Sequence, residues 1–276
     1  MKILLAGLGD KSETYAVILQ AAFDYQSIDC ELIEEPGISA EQVQDLLPKD
    51  FYGASVGGEL TQSLFAACTV HEGDALSLGG VNLLTVTDDG IAGDHVGSLA
   101  FELGTSEMKM WPASRCRAVV LGDGQEAAVA VHSLSHVPTG EIVVSAASPE
   151  GRPGWFSEVD PSVNLSFEEW AGQELAASIA AADVVVNTTQ IALAELPFSI
   201  RELPMRCEMI CTETGAGASE IVAEVHGAHR RAMDGAEIDI AAAMLSFGRW
   251  THIQPPPYNV AREAHREWRA RVRESS

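Results

Sequence analysis

Alternating strand and helix signals along the 276-residue chain predict an α/β protein whose sheets are mainly parallel and covered on both faces. Short runs rich in Val, Ile and Leu recur between longer segments whose apolar residues fall three and four apart. The chain is 46% hydrophobic, enough for a sizeable core. At about 150 residues per domain, the length reads as one large or two modest domains.

In order, Met1 to Gly7 reads as a buried strand, followed by a turn and a helix over Thr14 to Tyr25. Ile28 to Ile33 reads as a second strand, Glu41 to Leu47 as a helix, Phe51 to Val56 as a short strand and Thr61 to Val70 as a helix. Asn82 to Thr87 alternates weakly, and Asp88-Asp89-Gly90 signals a hairpin before Ile91. His95 to Gly104 closes this first unit as a helix. The second begins near Arg115, with a strand over Arg117 to Leu121, the turn Gly122-Asp123-Gly124 and a helix over Ala127 to Leu134. Glu141 to Val144 is the next strand, Gly151 to Ser166 a loop, Phe167 to Ala181 a helix and Asp183 to Val186 a strand capped by Asn187-Thr188-Thr189. A strand over Met209 to Thr212 precedes helices over Ser219 to Met233 and Ile238 to Trp250. After Pro255-Pro256-Pro257, a terminal helix over Val260 to Arg273 carries five arginines, read as a solvated face.

The net charge is −23, from 40 acidic against 17 basic residues, a balance that repels phosphate backbones and anionic membranes. Nucleic acid and membrane are therefore not expected partners, and a homodimer is the default assembly. No apolar run reaches the roughly 18 residues of a membrane span, and the opening MKILLAGLG is too short for a secretory signal. Cys30, Cys68, Cys116, Cys207 and Cys211 are odd in number and mostly scattered, which fits buried thiols in a reducing cytoplasm. No histidine or cysteine spacing completes a metal set, and His132/His136 and His226/His229 read as helix faces.

The segment from Val119 to Ala127 sets Gly122-Asp123-Gly124 between a strand and a helix, the context of a dinucleotide fingerprint. Gly122 makes the tight turn, Gly124 admits a pyrophosphate to the backbone, and Ala127 allows close helix packing. Asp123 and Glu126 place carboxylates at the same helix N-terminus, where they would satisfy the dipole themselves. The next strand ends in Ser145-Ala146-Ala147-Ser148, with no acid for a ribose hydroxyl and no arginine for a 2′-phosphate, so NAD and NADP are not distinguished.

Several segments in this order resemble the shikimate/quinate dehydrogenase family over nearly the whole chain. They are Gly7-Leu8-Gly9 with Ala21-Ala22-Phe23, Gly80-Val81-Asn82 before the Asp-Gly hairpin, Ala182 to Thr189, Asp234-Gly235, and Phe247 to Thr251. The resemblance implies two lobes: an α/β substrate domain over 1–104, completed by helices 238–276 that return to it, and a Rossmann-like dinucleotide-binding domain over 105–237. It also implies that NAD or NADP binds through Gly122, Gly124, Ala127, Asn187, Thr188 and Thr189.

The departures bear on substrate. The family's carboxylate-gripping Ser-x-Ser falls at Glu13 and Tyr15, its catalytic Lys at Thr61, the partner Asp at Gly97, a closing Gln at Ala242 and an Arg in Ala146–Ala147. A Lys–Asp pair that moves a proton during hydride transfer contributes about 10²–10⁴-fold, which Thr61 and Gly97 cannot supply. Glu13 would repel a carboxylate, so shikimate is not the expected substrate. Tyr15, Thr61 and the retained Asn82 are the expected substrate contacts, and His95, Glu13 and Glu59 the acid–base candidates. The expected function is an NAD(P)-binding oxidoreductase for a small non-shikimate, amine-bearing substrate in secondary metabolism. The alternatives are a non-redox enzyme using His95 with Glu13 or Glu59, and a catalytically dead relative serving as a binding protein.

Overall fold

The computed structural model describes residues 1–112, 115–137, 140–146, 156, 159 and 163–275. These form two compact units, Met1–Ala100 with Asp239–Ser276, and Phe101–Ile238.

The first unit is built on six strands, β1 (Lys2–Ala6), β2 (Glu31–Glu35), β3 (Gly53–Val56), β4 (Val70–Gly73), β5 (Leu83–Thr87) and β6 (Gly90–His95), in the order β2-β1-β3-β5-β6-β4. β1 runs parallel to β2 and β3, and β4 parallel to β6, while β5 is antiparallel to both its neighbours. Alternate residues of β1 explain why both faces need cover. Ile3 and Leu5 pack against Ile18, Leu19 and Phe23 of α1 (Ser12–Tyr25) and against Ile240, Phe247 and Trp250 of α9 (Ala236–Thr251). Leu4 and Ala6 face Val43 and Leu47 of α2 (Ala40–Asp50). The Trp250 indole donates to the Leu84 carbonyl (3.1 Å), and a β-carbon at Gly53 would stand 2.5 Å from its nitrogen. With α10 (Tyr258–Ser275) against α1, the C-terminal helices complete the first lobe.

The second unit holds β7 (Arg117–Leu121), β8 (Glu141–Ala146), β9 (Leu165–Glu169), β10 (Val184–Asn187), β11 (Glu208–Cys211) and β12 (Ala232–Met233), all parallel, in the order β12-β11-β10-β7-β8-β9. The chain winds outward from β7 to β9, then restarts on the other side at β10, the doubly wound Rossmann-like order. α6 (Gln125–Ser135) packs on β7 and β8. Leu175 and Ile179 of α7 (Gln173–Ala181) and Ile221 and Val225 of α8 (Ala216–Gly227) bury the other face with Val119, Leu121, Val185 and Met209.

Several expected elements differ. Phe167 to Glu169 is strand, not helix: Ala171 takes φ 64°, Gly172 caps α7, and pairing with β8 outweighs the local helix propensity. Thr61 to Val70 is not one helix but α3 (Leu60–Ser63), a 3₁₀ turn over Phe65–Ala67 and the start of β4. His95 ends β6, and α5 (Gly97–Glu107) begins two residues later. Ser219 to Met233 is not all helix: α8 stops at Gly227, His229 takes φ 58°, and Ala232–Met233 pairs with β11. The first sheet is mixed, because β5 and β6 form the hairpin that Asp88-Asp89-Gly90 signalled. Most of the Gly151 to Ser166 loop, with Ala147 and Ser148, lies outside the described residues.

Candidate functional site

In the second unit the chain reverses its winding between the adjacent strands β7 and β10, and ligands of open α/β sheets bind outside the carboxyl ends of such strands. Gly122 follows β7 with φ 115°, and a β-carbon there would meet the Thr188 hydroxyl at 2.5 Å. Thr188 occupies that space because its N–H (3.0 Å) and its Oγ1 (2.7 Å) both donate to the Leu121 carbonyl. Asn187 accepts on Oδ1 from the Thr189 N–H (3.1 Å) and hydroxyl (2.6 Å), so Asn187, Thr188 and Thr189 are drawn onto the glycine turn. The Gly122 N–H in turn donates to the Ser145 carbonyl at 3.0 Å, tying the turn to β8.

Gly124 is the N-cap of α6 in extended geometry, makes no side-chain cap, and has nothing within 4 Å of where a β-carbon would lie. Glu126 stands in the first turn of α6, as expected from the sequence, while the position of a Gly124 side chain opens onto free space. Ala127 is fully buried beneath it. Three buried polar atoms at the carboxyl ends of β8, β10 and β11 have no hydrogen-bond partner among the described residues: Ser145 Oγ, Asn187 Nδ2 and Thr212 Oγ1. Cys211 lies beside Asn187, its thiol pushed up to about 12 by burial against the pull of the Asn187 side chain. An open helix N-terminus, a glycine turn and unmet polar groups along one sheet edge fit a pyrophosphate-bearing ligand.

In the first unit, the carboxyl ends of β1, β3 and β6 and the start of β5 share one edge of the sheet, and most of the sequence-predicted substrate and acid–base residues fall there. The Asn82 N–H donates to the Asp94 carbonyl (3.0 Å), and its Oδ1 accepts from the Val96 N–H (2.9 Å), so Asn82 staples β5 to the end of β6. Thr61 is buried, its hydroxyl donating to the Gly58 carbonyl at 2.8 Å and its carbonyl accepting from the Val81 N–H at 2.9 Å. Tyr15 is buried too: its hydroxyl shares a 2.7 Å hydrogen bond with Ser246 of α9, and burial pushes it up to about 12. The hydroxyls of Thr61 and Tyr15 are thus engaged inside the unit.

His95 is buried, and its Nδ1 accepts from the Gly97 N–H (3.3 Å) at the start of α5. Asp94 is also buried and lies 2.9 Å from the Arg249 guanidinium of α9. Burial raises its carboxyl above the usual range, and Arg249 opposes the shift. Glu13, in the first turn of α1, and Glu59, just before α3, are exposed.

A pair not singled out from the sequence joins this edge. Lys11, in the turn after β1, lies 3.9 Å from the carboxylate of buried Asp239 at the start of α9, which acts electrostatically on Tyr15. Only the position of Lys11 just past a buried strand signalled it; Asp239 lies 228 residues away in sequence. Among the described residues, no three His, Cys, Asp or Glu side chains are grouped to hold a metal ion, and no helix is long and apolar enough to cross a membrane.

No protein-family model matches the chain. A shikimate dehydrogenase (NADP(+)) of Anaeromyxobacter dehalogenans is 24% identical over 247 residues, 88% of this chain and 87% of that protein. The enzyme of the same name from Xylella fastidiosa is 24% identical over 254 residues, 90% of this chain and 87% of the other. Among solved structures, shikimate 5-dehydrogenase from Thermus thermophilus in complex with NADP(H) and shikimate superposes with a TM-score of 0.81 at 16% identity, over 97% of this chain and 99% of that one. Quinate dehydrogenase from Corynebacterium glutamicum in complex with NAD gives 0.82 at 19%, over 95% and 97%. The resemblance read from the sequence is thus present both in sequence along most of the chain and in fold.

Proposed function

We propose that this chain, a divergent relative of the shikimate and quinate dehydrogenases, is an NAD(P)-binding oxidoreductase for a small substrate other than shikimate. The observation that carries the reading is the Gly122–Gly124 turn at the point where the winding reverses, with open space at the N-terminus of α6. Relatives of this fold hold NADP(H) or NAD, which supports the same ligand here. Backbone amides of the turn and of Gln125 would face the pyrophosphate, Ala127 would hold α6 close to the sheet, and Asn187 to Thr189 would border the nicotinamide half. The dinucleotide, when bound, supplies or accepts hydride.

The first unit, Met1–Ala100 with Asp239–Ser276, would then bind substrate. Exposed Glu13 and Glu59 suit an amine and disfavour a carboxylate, which separates this substrate from shikimate and is in keeping with secondary metabolism. Tyr15, Thr61 and Asn82 shape the edge through their internal hydrogen bonds. Proton exchange falls to Lys11, held by Asp239. Buried His95 has its Nδ1 engaged by Gly97, which disfavours the non-redox reading that would rely on it. A cytoplasmic homodimer suits the thiols and the acidic surface.

Calorimetric titration with NADH and with NADPH tests the reading. A micromolar dissociation constant for either one, lost in Gly124→Asp, supports it. The absence of heat up to millimolar concentrations of both refutes it.

A further inference from the structure

Lys11 and Tyr15 stand one turn apart at the start of α1, Lys11 being its N-cap. On α9, Asp239 and Ser246 are seven residues apart, two turns along one face. The Tyr15 ring shares an apolar cluster with Ile18 and Leu19 of α1 and with Ile240, Ala243 and Phe247 of α9. Two polar rungs join the helices across that cluster. Lys11 Nζ lies 3.9 Å from Asp239 Oδ1, and the Tyr15 hydroxyl lies 2.7 Å from Ser246 Oγ. Ser246 donates its own proton to the Ala242 carbonyl (2.9 Å), so the phenol is the donor in the second rung. Ser55 of β3 reaches the same phenol, and its Oγ lies 3.5 Å from the Asn82 carbonyl.

The rungs differ in exposure. Tyr15 and Ser246 are buried, so neither hydroxyl is offered to a ligand. Burial pushes the phenol up to about 12, and near neutral pH it keeps its proton. The Asp239 side chain is 9% exposed and that of Lys11 24%, so the lysine stem leads from a sunken counter-charge outwards to the carboxyl edge of the first sheet. A lysine loose in solvent spreads over many rotamers, whereas proton exchange needs its amine within hydrogen-bond reach of the reacting oxygen. Asp239 restricts the amine, and the second rung fixes the spacing of α1 and α9 that lets the first one close.

Resting on the reading that Lys11 exchanges the proton in a dinucleotide-dependent carbonyl reduction, we propose that Tyr15 and Ser246 are positioning residues, whose buried hydrogen bond holds α1 against α9 so that Asp239 aims the Lys11 amine at the substrate edge. In the reductive direction the substrate's carbonyl carbon gains the hydride and its oxygen gains the Lys11 proton. The neutral amine then recovers a proton from water.

The chain has four lysines, Lys2, Lys11, Lys49 and Lys109. Competitive acetylation of the full-length protein with trace acetic anhydride near neutral pH, read peptide by peptide by mass spectrometry, therefore follows the Lys11 amine beside three internal standards. Lys11 should label at least about threefold more slowly than exposed Lys49 and Lys109. Asp239→Asn should speed Lys11 about fivefold or more. Tyr15→Phe and Ser246→Ala, neither at a residue paired with Lys11, should each speed it about two- to threefold and leave the other lysines unchanged. Lower melting in both variants with the Lys11 rate unmoved overturns the positioning role, because a merely structural hydrogen bond would give that result. A rise shared by all four lysines is general loosening and overturns it too. Lys11 labelling as fast as Lys49 in the unaltered protein overturns the pair itself. Labelling needs no dinucleotide, so these failures are distinct from an absence of heat with NADH and NADPH, which removes the proton-exchange role whatever the rates.

Discussion

Gly122 and Gly124 stand two residues apart and serve different ends. At Gly122 the backbone is left-handed and a β-carbon would strike Thr188, so Gly122→Ala should cost about 1–3 kcal/mol of stability in denaturant unfolding. At Gly124 the space is open and φ is −83°, so Gly124→Ala should leave stability within about 0.5 kcal/mol and act on ligand affinity instead. Tyr15→Phe removes one half of a buried hydroxyl pair and should cost about 1–2 kcal/mol. That loss should be flat from acid to mildly basic pH, because the phenol sits at about 12. Asp94 behaves differently. Its folded carboxyl is raised by burial, so ionising it costs stability as pH climbs through that raised value, and Arg249 offsets the cost. Arg249→Met should therefore destabilise at neutral pH by about 1–2 kcal/mol, less than for a fully buried pair because Arg249 is half-exposed. The deficit should shrink towards acid pH, where protonated Asp94 needs no partner; thermal melts across pH measure it.

At the scale of elements, docking of α9 depends on Gly53 being bare. Gly53→Ala would push a methyl group into the Trp250 ring and should cost about 1–3 kcal/mol, released as lower melting of the first unit. That contact joins positions nearly two hundred residues apart, and no local pattern shows it. What was legible was local: the Val119 to Leu121 strand, the Gly122-Asp123-Gly124 turn and the Asn187 cap all lie within a few residues of their signal. β9 was not legible, because Phe167-Glu168-Glu169 has ordinary helix propensity and becomes strand only by pairing with β8. β4 escaped for the same reason, being defined by β6. At the site, Glu13 and Glu59 are exposed as their polarity suggests, but sequence cannot tell that Tyr15 meets Ser246 or that Thr61 turns to Gly58. The Lys11–Asp239 pair needed the chain's return to the first unit.

Across the whole molecule, a net charge of −23 makes the fold pay for self-repulsion that salt relieves. Melting temperature should rise between low salt and about 0.2 M NaCl, where the Debye length falls below about 10 Å. A flat or falling curve would mean that local pairs such as Arg231–Glu208 and Arg206–Asp183 outweigh the overall field. The proposed function places a nicotinamide dinucleotide at one edge of one sheet, on the turn after β7. Amide chemical shifts of the 15N-labelled full-length protein, followed during titration with NADH, test it most directly. Saturable shifts led by Gly122, Gly124, Gln125, Thr188 and Thr189, absent in Gly124→Asp, are expected. Shifts that spare these amides, or a spectrum unmoved at millimolar NADH and NADPH alike, would contradict it.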